Sequence, residues 1–101
     1  MHIVILGCGR VGSALAHTLD RQGHSVSIVD QVPEAFRKLH PEFGGNTIVG
    51  IGCDRDTLID AGIARAQAFA ACSSGDNTNI IAARVARETF GVTNVVARIY
   101  D

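Results

Sequence analysis

The stretch Gly7-Cys8-Gly9-Arg10-Val11-Gly12 narrows the fold of this chain more than any other. Before it stands His2-Ile3-Val4-Ile5-Leu6, short, apolar and β-branched, which predicts a buried parallel strand. After it Val11, Leu15 and Leu19 recur every four residues, with Ala14 and Ala16 alongside. That spacing predicts a helix from Val11 to Gln22, closed by Gly23 as the C-terminal glycine. A glycine-rich turn between a buried strand and an amphipathic helix is a specific arrangement, where three spaced glycines alone are not.

The remaining chain repeats the alternation. Ser25 to Val29 reads as a second strand closed by Asp30, and Pro33 opens a helix to about Leu39. Pro41 and Gly44-Gly45 break the chain before a third strand, Thr47 to Gly50. Asp54 to Ala61 reads as a helix stopped by Gly62, and Ala68 to Cys72 as a fourth strand. Asn77 to Phe90 is the longest expected helix, ended by Gly91, and Val95 to Ile99 is a fifth strand. Strand and helix in strict alternation predict an α/β fold: a Rossmann-type, doubly wound parallel sheet in the order 3-2-1-4-5, with helices on both faces. At 101 residues one domain is expected, residues 1–101. A sixth strand is expected in such a sheet, so we expect the chain to be the N-terminal part of a longer protein.

Composition excludes several classes of function. Net charge is −1, and no basic run or basic stripe with interleaved aromatics is present, which argues against a nucleic-acid surface. No apolar run approaches the roughly 20 residues that span a bilayer. The start meets Gly7 too early for the apolar region of a secretory signal. Cys8, Cys53 and Cys72 are odd in number and include no Cys-x-x-Cys pair, so reduced thiols are expected. They read as small apolar residues near strand ends. Redox sensing by Cys8 is the alternative, since a helix N-terminus stabilises a thiolate. His2, His17, His24 and His40 have no metal-ligand spacing.

The glycine turn carries the chemistry. Gly7 permits the turn, Gly9 admits a diphosphate to the backbone, and Gly12 lets the helix pack closely on the sheet. The helix start, at Arg10 and Val11, offers free N–H groups and the positive end of the helix dipole to phosphate oxygens. Asp30 lies 18 residues beyond Gly12, where a carboxylate accepts hydrogen bonds from ribose hydroxyls and repels a 2′-phosphate. Gln31-Val32 beside it brings no Arg to bind such a phosphate. NAD(H) or an adenosine nucleotide is thus favoured over NADP(H). Arg10 can clamp a terminal phosphate with its forked guanidinium, which keeps ATP and ADP among the candidates. Ser73, Ser74 and Asn79 are candidate ligand hydrogen-bonders, with Asp76 read as a helix cap. Asp54 is placed either near the adenine or at a helix N-terminus. No Cys-His, Ser-His or Tyr-x-x-x-Lys constellation is present, nor carboxylates spaced for acid/base work.

The chain resembles the N-terminal nucleotide-binding domain of the regulators of potassium conductance, the RCK/KTN-type domain of Trk/Ktr potassium-uptake regulatory proteins. The resemblance rests on Ile3 to Gly12, on Val29-Asp30, on Leu58-Ile59-Asp60-Ala61-Gly62-Ile63, and on Ser73 to Asn79 with Ala97-Arg98. It implies a cytoplasmic gating subunit that binds NAD(H), ATP or ADP. It further implies a homo-oligomer, dimer or ring, held at the inner face of the cell membrane by a potassium transporter or channel subunit. By the same resemblance Gly7, Gly9, Arg10 and Gly12 hold phosphates, Asp30 holds the ribose, and Ser73 and Asn79 fall in the switch-point loop. Arg98 matches a basic position near the subunit contact. One departure stands out: the family pattern Gly-Asp-x-Thr reads Gly50-Ile51-Gly52-Cys53 here, removing the usual acid near the adenine. Two other readings compete with a regulator: the nucleotide half of a truncated NAD-dependent oxidoreductase, and a free-standing adenine-nucleotide module. For a regulator, the helix from Asn77 to Phe90 is the expected partner contact, because its apolar residues encircle it.

Overall fold

In a computed structural model, which describes residues 1–99, the chain forms five strands in one all-parallel sheet. They are β1 (His2–Leu6), β2 (Ser25–Asp30), β3 (Asn46–Val49), β4 (Ala68–Ala71) and β5 (Asn94–Ala97). The order is β3-β2-β1-β4-β5, as the alternation predicts. The helices are α1 (Arg10–Arg21), α2 (Arg55–Asp60) and α3 (Asp76–Arg84). Three tighter or wider helical pieces join them: 3-10 turns at Pro33–Lys38 and Ile63–Arg65, and a π turn at Val85–Thr89.

The core follows from side-chain alternation along β1, which is buried on both faces. Val4 and Leu6 join Val29, Phe69 and Ala71 under α2, α3 and the π turn, which contribute Leu58, Ala82 and Ala86. Ile3 and Ile5 join Val26 and Ile28 under α1, which contributes Ala16, Leu15 and Leu19. Each fully buried Ile, Leu or Val stabilises the fold by about 1.5–3 kcal/mol.

Helix ends explain most boundaries. Gly23 and Gly91 take φ of +88° and +67°, the left-handed conformation that closes a helix. After α1, the His24 N–H reaches the Leu19 carbonyl at 3.1 Å, and the Gly23 N–H reaches Asp20 at 3.0 Å.

Three expectations are corrected. The Asn77–Phe90 helix is not uniform. Its last turn widens, with the Phe90 N–H bonding the Val85 carbonyl at 3.3 Å and the Val92 N–H bonding Ala86 at 3.1 Å. The wide turn lets buried Val92 close over the core past Gly91. The helix at Pro33 is 3-10, not α: the Ala35 N–H bonds Val32 and the Leu39 N–H bonds Phe36, both at 3.0 Å. His40 precedes Pro41, which disfavours a further helical turn. Asp76 is not the cap of α3. Gly75 occupies that position and Asp76 begins the helix.

Candidate functional site

Both halves of the sheet meet at the carboxyl end of β1. Leu6 pairs with Val29 on one side and with Ala71 on the other. The crossover through α1 leaves over one face and the crossover through α2 returns over the other. A cleft of about 1100 Å³ opens at this switch point, in the place where ligands enter open α/β sheets.

The glycine turn forms the cleft floor. Gly7 has φ +101°, and its N–H donates to the Val29 carbonyl at 2.7 Å. A Cβ there would stand 2.7 Å from the Ser73 nitrogen, so the two loops approach as closely as backbone allows. A Cβ at Gly12 would overlap the Gly7 carbonyl oxygen, so α1 packs against the turn only because Gly12 is bare. Gly9 differs: a Cβ there meets no protein atom within 4 Å. Protein packing does not require a glycine at that position, and the space it leaves belongs to the cleft.

Gly9 caps α1 without any side-chain hydrogen bond, and no acid lies in the first turn. The Ser13 N–H is the first to find a helical acceptor, the Gly9 carbonyl at 2.9 Å. Among the described residues, the N–H groups of Arg10, Val11 and Gly12 have no acceptor. They form a set of donors at the positive end of the helix dipole, suited to an anion.

Asp30 ends β2 beside this turn. Its Oδ2 accepts from the Cys8 N–H and its Oδ1 from the Val32 N–H, each at 2.9 Å. The carboxylate is thereby oriented, and each oxygen keeps a lone pair for a hydroxyl. Gln31 lines the cleft next to it.

The opposite wall is the loop after β4. Ser73 and Ser74 line the cleft, and so does Arg98, whose backbone N–H continues the β5 ladder to the Ala71 carbonyl at 2.8 Å. Asn79 does not line it. Its side chain is fully buried, and its Oδ1 accepts from the Ser73 N–H at 2.9 Å and the Ser73 hydroxyl at 2.7 Å. Its Nδ2 donates to the carbonyls of Ser73 and Arg98, both at 2.9 Å. The sequence reading of Asn79 as a ligand hydrogen-bonder is corrected: the amide is spent on holding the wall. Asp54 is also outside the cleft lining. It occupies the N-cap position of α2, and its carboxylate accepts from the Thr57 hydroxyl at 3.0 Å.

All three cysteines line the cleft, but their thiols differ. Cys8 and Cys72 are buried and Cys53 is half-buried. Burial pushes the Cys8 thiol up, the Asp30 carboxylate adds to this, and the Lys38 ammonium opposes it. Burial likewise pushes Cys72 up, against the Arg98 charge. A buried thiol with a raised pKa is less reactive than a free one, which argues against redox sensing by Cys8.

Sequence reasoning missed Lys38 and Glu34, which also line the cleft. A three-residue repeat, Val32, Ala35 and Lys38, is the signal that would have found Lys38. In a 3-10 segment such residues stack directly in line on one face. No helix of the described residues is long and apolar enough to cross a membrane.

The TrkA-N domain family matches residues 3–101. The chain is similar to the Trk system potassium uptake protein TrkA of Streptomyces coelicolor, 67% identical over 101 residues, covering 100% of this chain and 45% of that protein. It thus spans about half the length of that relative. Among solved structures, the RCK domain of GsuK superposes with a TM-score of 0.75 at 28% identity, over 94% of this chain and 20% of that one. An AMP-bound Kef C-terminal domain from Shewanella denitrificans superposes with a TM-score of 0.86 at 24% identity, over 100% of this chain and 60% of that one.

Proposed function

Because the chain belongs to the TrkA-N domain family, we propose that it is the nucleotide-sensing domain of a regulator of potassium uptake. The observation that carries this reading is the meeting of two features in one cleft. Free N–H donors at the start of α1 face the space left by Gly9, and the oriented Asp30 carboxylate stands at the ribose distance along the chain. The ligand on this reading is NAD(H) or ATP/ADP. Its diphosphate lies on the turn Gly7 to Gly12, its ribose on Asp30, and Ser73, Ser74 and Arg98 close the far side. Asn79 acts by positioning that far wall.

The domain works at the inner face of the cell membrane, in the cytoplasm, through a membrane potassium transporter. It assembles there as a dimer or ring. Ile80 and Ile81 on α3 are 44% and 51% exposed, which supports that helix as the subunit contact. Signalling is a population shift: the nucleotide binds one arrangement of the assembly more tightly than another. A regulator is preferred to an oxidoreductase because the chain belongs to the TrkA-N domain family.

Calorimetric titration with NADH, NAD, ATP and ADP tests the site. Binding of at least one is expected, and binding of none removes the nucleotide reading. Light scattering tests the assembly, where a monomer at every concentration removes the subunit contact.

A further inference from the structure

A charge asymmetry in the cleft points to one more ligand-facing residue. Arg10, Lys38 and Arg98 line it together with the carboxylates of Asp30 and Glu34, although the chain as a whole carries a net charge of −1. Arg10 and Arg98 come from the glycine turn and from the end of β5. Lys38 comes from a third side, the 3-10 turn after β2.

The conformation of that turn is what presents Lys38. In a 3-10 helix residues three apart stack directly in line, whereas in an α-helix each is offset from the last by about 60° around the axis. Val32, Ala35 and Lys38 stand at that spacing, and all three line the cleft. Phe36 and Leu39 pack into the core beside α1 and hold the turn from behind. The Val32 N–H bond to Asp30 ties its start to the ribose-side carboxylate. Lys38 forms no ion pair among the described residues. Its charge is nevertheless felt at Cys8 within the glycine turn.

We propose that Lys38 is a specificity-determining residue of the cleft, the counter-charge through which it favours nucleotides with a terminal phosphate beyond the first. The inference rests on the nucleotide reading above. Lys38 is a flexible point charge without fixed geometry, so it reads the amount of negative charge on a ligand. Asp30 fixes the nucleoside end by hydrogen bonding, and Glu34 sets an opposing charge on the same wall. The attraction therefore grows with each phosphate, while the nucleoside contacts stay constant.

The experiment titrates AMP, ADP, ATP and NADH into the wild-type chain and into Lys38→Gln and Lys38→Arg at two salt concentrations. Lys38→Gln is expected to weaken ATP about fivefold, the ratio an exposed ion pair supports, and AMP about twofold or less. Lys38→Arg is expected to restore ATP binding, and the salt dependence of ATP binding is expected to flatten in Lys38→Gln. An equal loss for all four ligands, or no loss for ATP, overturns the proposal while leaving the nucleotide site intact. Failure of the wild type to bind any of the four overturns the nucleotide reading itself, and this inference with it.

Discussion

The Cys8 N–H donates to Asp30 Oδ2 at 2.9 Å, joining the end of β1 to the end of β2. The carboxylate that faces the cleft is thus also a strut of the glycine turn. Asp30→Ala removes both roles. Nucleotide affinity is expected to fall at least tenfold, as for loss of a hydrogen bond to a charged group. Calorimetry reads the affinity and a thermal melt reads the strut. Undiminished affinity would take Asp30 out of the site.

Gly9 and Gly12 separate folding from binding. Gly9→Ala adds a methyl that meets no protein atom within 4 Å, so its unfolding midpoint is expected to shift little, within about 0.5 kcal/mol. Its nucleotide affinity is expected to drop tenfold or more, because the methyl enters the cleft. Gly12→Ala collides with the Gly7 carbonyl and is expected to destabilise by roughly 2 kcal/mol or more. Urea unfolding of the two variants gives the comparison, and equal stability losses contradict it.

Asn79 tests the wall after β4. Asn79→Leu leaves the Ser73 backbone and the Arg98 carbonyl without their buried partners. The expected loss is about 2–4 kcal/mol by denaturant titration, in line with a broken buried network. A loss below ~0.5 kcal/mol would show that the network is dispensable.

His17 gives the fold a pH dependence. Its ring stacks on His40 at 4.0 Å between centroids, and its Nε2 accepts from the His40 N–H at 3.0 Å. Desolvation holds its pKa below the usual value, with His40 and Arg21 adding to the effect and Asp20 and Glu42 opposing it. The folded chain therefore favours the neutral ring. This contribution is full above the unfolded value of about 6.5 and is lost as pH falls through the lower folded value. Melting curves from pH 7.5 to 5 are expected to fall more steeply for the wild type than for His17→Gln. Parallel curves would exclude His17 as a source.

Thiol labelling distinguishes the cysteines. Cys53 is half-buried, while Cys8 and Cys72 are buried with raised pKa values. One fast-reacting thiol is expected with an aromatic disulfide reagent at pH 8, and Cys53→Ser should abolish the fast phase. A fast phase that survives the substitution places the reactive thiol elsewhere.

Much of this was legible in the residues. Apolar alternation in His2 to Leu6 and the spacing of Val11, Leu15 and Leu19 locate strand and helix, because burial of one face imposes the period. Asp30 was legible from its distance to the glycine turn. Asn79 was misread because a polar side chain near a cleft looks the same in sequence whether it faces a ligand or a backbone loop. Nothing local marks the carbonyl of Arg98, 19 residues away, as its partner.

Lys38 was hidden for a different reason. A short segment after a proline carries too few residues to distinguish a 3-10 turn from an α-helix, and the two set Lys38 at different angles about the axis. The sequence by itself therefore determined the strand order, the turn and the acid, since each rests on local periodicity, chirality or spacing. Tertiary structure decided which polar groups are free to meet a ligand. That depends on hydrogen bonds and packing between segments far apart in the chain, and local pattern does not encode them.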